Sequence, residues 1–115
     1  MTIREAAAAL GAEICHNDFE DKPLDNAYTS DLLSDVIANA NADSSDSGAL
    51  ITIQAHKNTV AVASLVNAAA IVICNSRPIP DDMLEAARDE GIALLRTKEN
   101  QFTVSGKIWD LLKAQ

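Results

Sequence analysis

Three apolar segments constrain the fold more than anything else in these 115 residues: ALITI at 49–53, AAAIVIC at 68–74 and IALLRT at 92–97. Each is too continuously apolar for a strand with one wet face and too short for a buried helix. A strand covered on both faces fits. Between them lie NTVAVASLVN and, after SRPIP, a segment running to about Glu90 and stopping at Gly91, both read as helices. Strand and helix therefore alternate from residue 49 onward, ending in a helix. Crossovers of this kind are right-handed and join parallel strands. The expected class is α/β: a mostly parallel sheet with helices on both faces, in a single compact domain spanning 1–115.

Local signals punctuate this frame. Thr2 and Glu5 have capping-box spacing, and Gly11 stands where a left-handed C-cap would stop the first helix. AEIC, 12–15, reads as a short strand, and 16–26 as an acid-rich solvated loop. Ser30 or Asp31 is expected to cap a helix with Leu32, Leu33, Val36 and Ile37 on one face. The polar run 41–48 is expected to be the most mobile interior stretch. Asn58 or Thr59 should cap the helix after ALITI. Pro80 suits a first helical turn, with Asp81 and Asp82 favourable against the helix dipole. The last helix carries Val104, Ile108, Leu111 and Leu112 on one face. Gly106 within it suggests close packing against a neighbour. Trp109 lies off that face, and two readings stay open: it fills a core gap, or, the preferred one, it sits on a second apolar surface suited to self-association.

Charge excludes some functions. The net charge is −8 with a pI near 4.5. Non-specific nucleic-acid binding needs clustered cations to displace phosphate counterions, so nucleic acid and anionic membrane surfaces are not expected partners. No apolar run reaches the roughly 20 residues of a membrane span. The start, MTIREAAAALGAE, lacks the basic and apolar regions of a secretory signal. Cys15 and Cys74 are the only cysteines and are expected to be reduced, which gives a cytoplasmic reading.

In open α/β sheets ligands bind at the carboxyl ends of parallel strands. That rule gathers Cys15 with His16, Cys74 with Asn75, and the ligand-binding candidates Ser30, Asp31, Gln54, His56, Lys57, Asn58, Asn75, Thr97 and Lys98. Helix-start amides near Ser30 and Asn58, with Lys57 and Lys98, would suit an anion. Ordinary capping with solvated lysines accounts for the same residues. Cys15, His16, His56 and Cys74 form a Cys2His2 set, but no paired spacing anchors it, so neither metal nor cofactor is assigned. GxGxxG, GxxxxGK[ST] and GxSxG are all absent, and no catalytic residue is assigned.

DLLSDVIANA, ITIQAHKNTVAVASLVNAAAIVICN and TKENQFTVSGKIWDLL, in that order, resemble the DRTGG domain family, with the likeness strongest over 26–113. The pattern is similar to the small stand-alone members and, more distantly, to the N-terminal domain of HPr kinase/phosphorylase. The resemblance implies an α/β domain that self-associates, often as a dimer, with a regulatory or ligand-binding role and no catalytic activity of its own. Together with the missing catalytic motifs it gives the preferred reading: a non-catalytic regulatory or interaction domain, a homodimer, binding a small anionic ligand or nucleotide at the sheet's carboxyl edge. Two alternatives stay open. One is a small enzyme using Cys, His and Asp groups at that edge. The other is a structural partner subunit of a redox or hydrogenase-related complex. The family's literal signature is absent. His56, Lys57 and Asn58 stand where its Asp-Arg part falls, and Cys74, Asn75 and Ser76 where its Thr-Gly-Gly part falls.

Overall fold

The computed structural model describes residues 1–40 and 47–115, so the expectation about 41–48 falls largely outside the described residues. The elements are α1 (Ile3–Leu10), β1 (Glu13–Ile14), β2 (Asn26–Thr29), α2 (Leu33–Asn39), β3 (Gly48–Thr52), α3 (Lys57–Leu65), β4 (Ala68–Ile73), α4 (Asp81–Glu90), β5 (Ala93–Arg96) and α5 (Gln101–Lys113). The five strands form one sheet in the order β1-β5-β4-β3-β2. Pairs β2–β3, β3–β4 and β4–β5 are parallel, and β1–β5 is antiparallel.

Side chains alternate across the pleat, so each inner strand feeds two cores. Ala49, Ile51, Ala70, Val72, Ala93 and Leu95 meet α1 and α5 through Ile3, Ala6, Leu10, Val104 and Ile108. Leu50, Ile71, Ile73 and Leu94 meet α2, α3 and α4 through Val36, Val60, Ala63, Met83 and Ala87. The molecule is therefore three layers, with helices on both faces of the sheet as the sequence predicts. The stepwise order from β2 to β5 has a further consequence. Successive right-handed crossovers in one direction all pass over one face, which is why α2, α3 and α4 share it.

Several local expectations hold. Thr2 and Glu5 form a capping box, and Gly11 and Gly91 close their helices at φ 63° and 66°. Others are corrected. Residues 16–26 are not simply a solvated loop: Leu24 and His16 are buried, and the segment enters β2 at Asn26. β2 escapes sequence reading because NAYT, an edge strand, carries no continuous apolar run. Leu32 and Ile37 are 61% and 50% exposed, so the buried stripe of α2 is narrower than its apolar residues suggest. Neither Asn58 nor Thr59 caps α3. The N-cap is His56, without a side-chain cap bond, and Thr59 Oγ1 instead donates to the Gln54 carbonyl at 2.6 Å.

Gly106 does not mediate close packing. A Cβ added there would meet nothing within 4 Å, and its φ is not positive. Gly106→Ala is therefore expected to stabilise the protein by about 1 kcal/mol, because alanine loses less backbone entropy in a helix interior. A denaturant midpoint unchanged or lowered by the substitution would contradict this.

Candidate functional site

The carboxyl edge of the sheet is where the sequence places its candidates, and the structure divides them. At the ends of β2 and β3, Gln54 Nε2 donates to the Asp31 carbonyl at 2.7 Å, and Gln54 Oε1 lies 3.1 Å from His56 Nε2. Ser30 accepts the Leu32 amide through Oγ at 3.1 Å, a local turn rather than a helix cap. Asp31, Gln54 and His56 thus form one bonded cluster, with Ser30 next to it in the chain. Lys57 and Asn58 begin α3 beside it. Lys57, however, lines a separate cleft between α3 and α4, shared with Asp89 and Glu90.

Asn75, Thr97 and Lys98 form a second group at the ends of β4 and β5. Here the two loops are tied through the backbone. The Asn75 amide donates to the Glu99 carbonyl at 2.9 Å and the Ser76 amide to the Thr97 carbonyl at 2.8 Å. Both Asn75 and Ser76 lie in the left-handed region, at φ 61° and 50°. That conformation costs an ordinary L residue roughly 1–2 kcal/mol and is easiest for glycine, then asparagine. The cross-loop bonds hold the turn in place of a glycine.

Beside this second group opens a cleft of about 640 Å³, lined among others by Gly11, Ser76, Arg96, Lys98, Glu99 and Lys107. Arg96 Nη2 donates to the Ser76 carbonyl at 2.9 Å, and Lys107 Nζ donates to Glu99 Oε1 at 2.8 Å. Arg96 and Lys107 were missed in the sequence. Arg96 was passed over because its segment was read for its apolar run, and Lys107 because it lies on the helix that follows rather than at a strand end. Only the return of α5 onto the sheet face that it shares with α1 brings them together.

Cys15 and His16 do not belong to this edge. Because β1 runs antiparallel to β5, its end points the other way: the Cys15 amide donates to the Leu94 carbonyl, and His16 Nε2 lies 2.8 Å from the Ile92 carbonyl near the start of β5. Cys74 and His56 remain at the carboxyl edge, so the Cys2His2 set is split between opposite ends of the sheet. Burial pushes both thiols up to about 11, Glu13 adding to the effect at Cys15. A thiol so placed is almost wholly protonated near neutrality and a poor nucleophile.

Near the first cluster, the Tyr28 hydroxyl donates to Asp35 Oδ2 at 2.8 Å, and Asn39 Nδ2 donates to Oδ1 at 2.9 Å. Tyr28 first, then Ser30 and Asn39, hold the Asp35 carboxyl below its usual range, while the bond to Asp35 raises Tyr28. A depressed carboxyl contributes stability above its unfolded value of about 3.9, lost as pH falls through the folded value. A raised phenol contributes below its unfolded value of about 10, lost as pH rises through the folded one. In Tyr28→Phe the Asp35 carboxyl should titrate closer to an ordinary aspartate, as followed by side-chain NMR. An unaltered titration would show that this bond is not what depresses it.

A second feature lies away from the strand ends. On α5, Phe102 is 87% and Trp109 64% exposed. Trp109 borders an apolar groove of about 380 Å³ with Ala27, Thr29, Ile51, Ser105 and Ile108. The groove runs along β2, whose outer edge no other strand covers among the described residues. Among the described residues no helix is long and apolar enough to cross a membrane.

No family model matches the chain. Over 39 residues, 34% of its length, it is 46% identical to the HPr kinase/phosphorylase of Streptococcus uberis, of which it spans 13%. By structure it is similar to a solved chain described as the CBS and DRTGG domains of the regulatory region of Clostridium perfringens pyrophosphatase, complexed with the activator diadenosine tetraphosphate. That likeness covers 93% of this chain and 45% of the solved one, at a TM-score of 0.65 and 15% identity. The chain thus spans less than half the length of either protein, and at this identity the structural likeness concerns the fold.

Proposed function

We infer that this chain, a DRTGG-like domain by its fold and its matched stretch, works as a non-catalytic regulatory and interaction module. It acts as a homodimer and takes a small anionic ligand, such as a nucleotide, at the carboxyl edge of its sheet. The observation that carries the reading is exposed Trp109 on α5 beside the edge of β2 that no strand covers among the described residues, with Phe102 exposed on the same helix. A large apolar side chain left in water forgoes its burial energy, and an exposed aromatic residue bordering an apolar groove suits an interface. A two-fold related copy would set β2 against β2 antiparallel and continue the sheet. Raised thiol values and a histidine engaged by Gln54 favour this over an enzyme using Cys and His groups. The ligand half draws on the similar pyrophosphatase regulatory region, whose structure was solved with a nucleotide activator. Two free thiols suit a reducing, cytoplasmic setting.

Sedimentation velocity across a concentration series, with and without ADP, tests both halves. The expected result is a dimer at micromolar concentration and a thermal midpoint that rises with ADP. A monomer at every concentration would defeat the dimer reading. Steady turnover of a phosphate ester by the pure protein would defeat the non-catalytic one.

A further inference from the structure

We propose that the cleft at the end of β5, not the Gln54–His56 cluster, is the ligand site, and that it takes a nucleoside phosphate. The proposal rests on the ligand-binding half of the reading above and assigns it a place and a chemistry.

Topology singles out the place. Ligand crevices in open α/β sheets form where neighbouring strands send their following loops to opposite faces. β2, β3 and β4 all lead to helices on one face, so no such divergence exists at Gln54 or His56. After β4 the chain goes to α4, and after β5 to α5 on the other face. The divergence therefore lies between the ends of β4 and β5, and the 640 Å³ cleft opens beside it. That volume is within the range of small-molecule sites.

Charge points to phosphate. The chain holds nine lysines and arginines against seventeen acids. Three of the nine, Arg96, Lys98 and Lys107, line this one cleft. Their donors are mostly unspent. Arg96 makes one hydrogen bond, to Ser76, its Nε is buried without a partner, and its nearest carboxylate contact, Glu13, is 3.8 Å away. Lys107 donates to Glu99, whose second oxygen is buried without a partner. Lys98 is exposed and in no ion pair among the described residues. A guanidinium fork with two ammonium groups is a set that phosphate oxygens satisfy.

The same cleft holds acceptors, which favours a nucleoside phosphate over a bare anion. Glu13 and Glu99 line it, as does the carboxyl end of α1, whose last turn carries no basic residue. A ligand that brings N–H and O–H donors along with its phosphate matches both halves of this lining.

The test is amide NMR mapping of the full chain at low salt with ADP and with inorganic pyrophosphate. ADP should move the signals of Gly11, Ser76, Thr97 and Lys98, with pyrophosphate binding more weakly at the same place. Lys98→Gln should weaken ADP about tenfold, the effect of one charge-assisted hydrogen bond, and His56→Ala should leave it unchanged. Shifts centred on Gln54 and His56, or wild-type affinity in Lys98→Gln, would overturn the cleft while leaving ligand binding intact. Pyrophosphate binding as tightly as ADP would overturn the nucleoside specificity. No shift with either probe at millimolar concentration would overturn the proposal together with the ligand half of the reading.

Discussion

Ile71→Ala is expected to cost about 4 kcal/mol of folding stability, the largest effect of any single change considered. Ile71 is fully buried in the central strand β4, with Leu50 and Leu94 as its registered neighbours on either side. Truncation removes three buried carbons and leaves a cavity walled by branched side chains on two strands and by α3 and α4. Strands pinned by ladder hydrogen bonds cannot close inward to fill it. That places the cost toward the upper part of the 2–5 kcal/mol range for such truncations. A domain of this size is stable by roughly 5–15 kcal/mol, so the variant should fold but melt about 15–20 °C lower. Leu65→Ala is the comparison. Leu65 is 65% exposed on α3, and its loss should change stability by no more than about 0.5 kcal/mol. Equal losses at the two positions would mean that the packing described for β4 is wrong.

The second large effect concerns association. Trp109 is the only tryptophan, so its emission reports its own environment. As the protein concentration rises through the dimer constant, emission should shift to the blue as the ring leaves water. Central aromatic residues at interfaces commonly contribute about 2–4 kcal/mol, a factor of roughly 30 to 1000 in the dissociation constant. Trp109→Asp adds a buried charge to that loss and should leave the chain monomeric at concentrations where the parent is dimeric. Its fold should survive, because the side chain is already largely in solvent. Phe102→Asp, at the second residue of α5, should weaken the dimer in the same direction. A parent that dimerises as well with both aromatic residues removed would place its interface elsewhere.

The layers of this fold were legible because burial on both faces forces continuous apolar strands, and the segments 49–53, 68–74 and 92–97 coincide with β3, β4 and β5 to within a residue at each end. Helix ends were legible at Thr2, Gly11, Pro80 and Gly91, where one residue type answers a backbone need. β2 was not, because an edge strand buries little and so carries little apolar pattern. The direction of β1 was not either: two residues give no sign of which way they run, and that direction decides where Cys15 and His16 lie. The candidate site was half legible. Thr97, Lys98 and Asn75 were found by their position after strands, whereas Arg96 and Lys107 needed the path of α5. His56 attracted notice as a polar residue after an apolar strand, and the structure gives it a local partner in Gln54.

The turn at Asn75 and Ser76 bears on how chains like this drift apart. Two successive left-handed residues stand where, by the resemblance noted above, the paired glycines of the family signature fall. In this chain the two positions make a torsional demand that glycine meets most easily. Once amides from one loop are anchored to carbonyls of the next, other residues can meet that demand at modest energetic cost. The spelling of a motif can then erode while its dihedral angles persist. A chain in this state would be recognised by backbone geometry long after its letters had ceased to match.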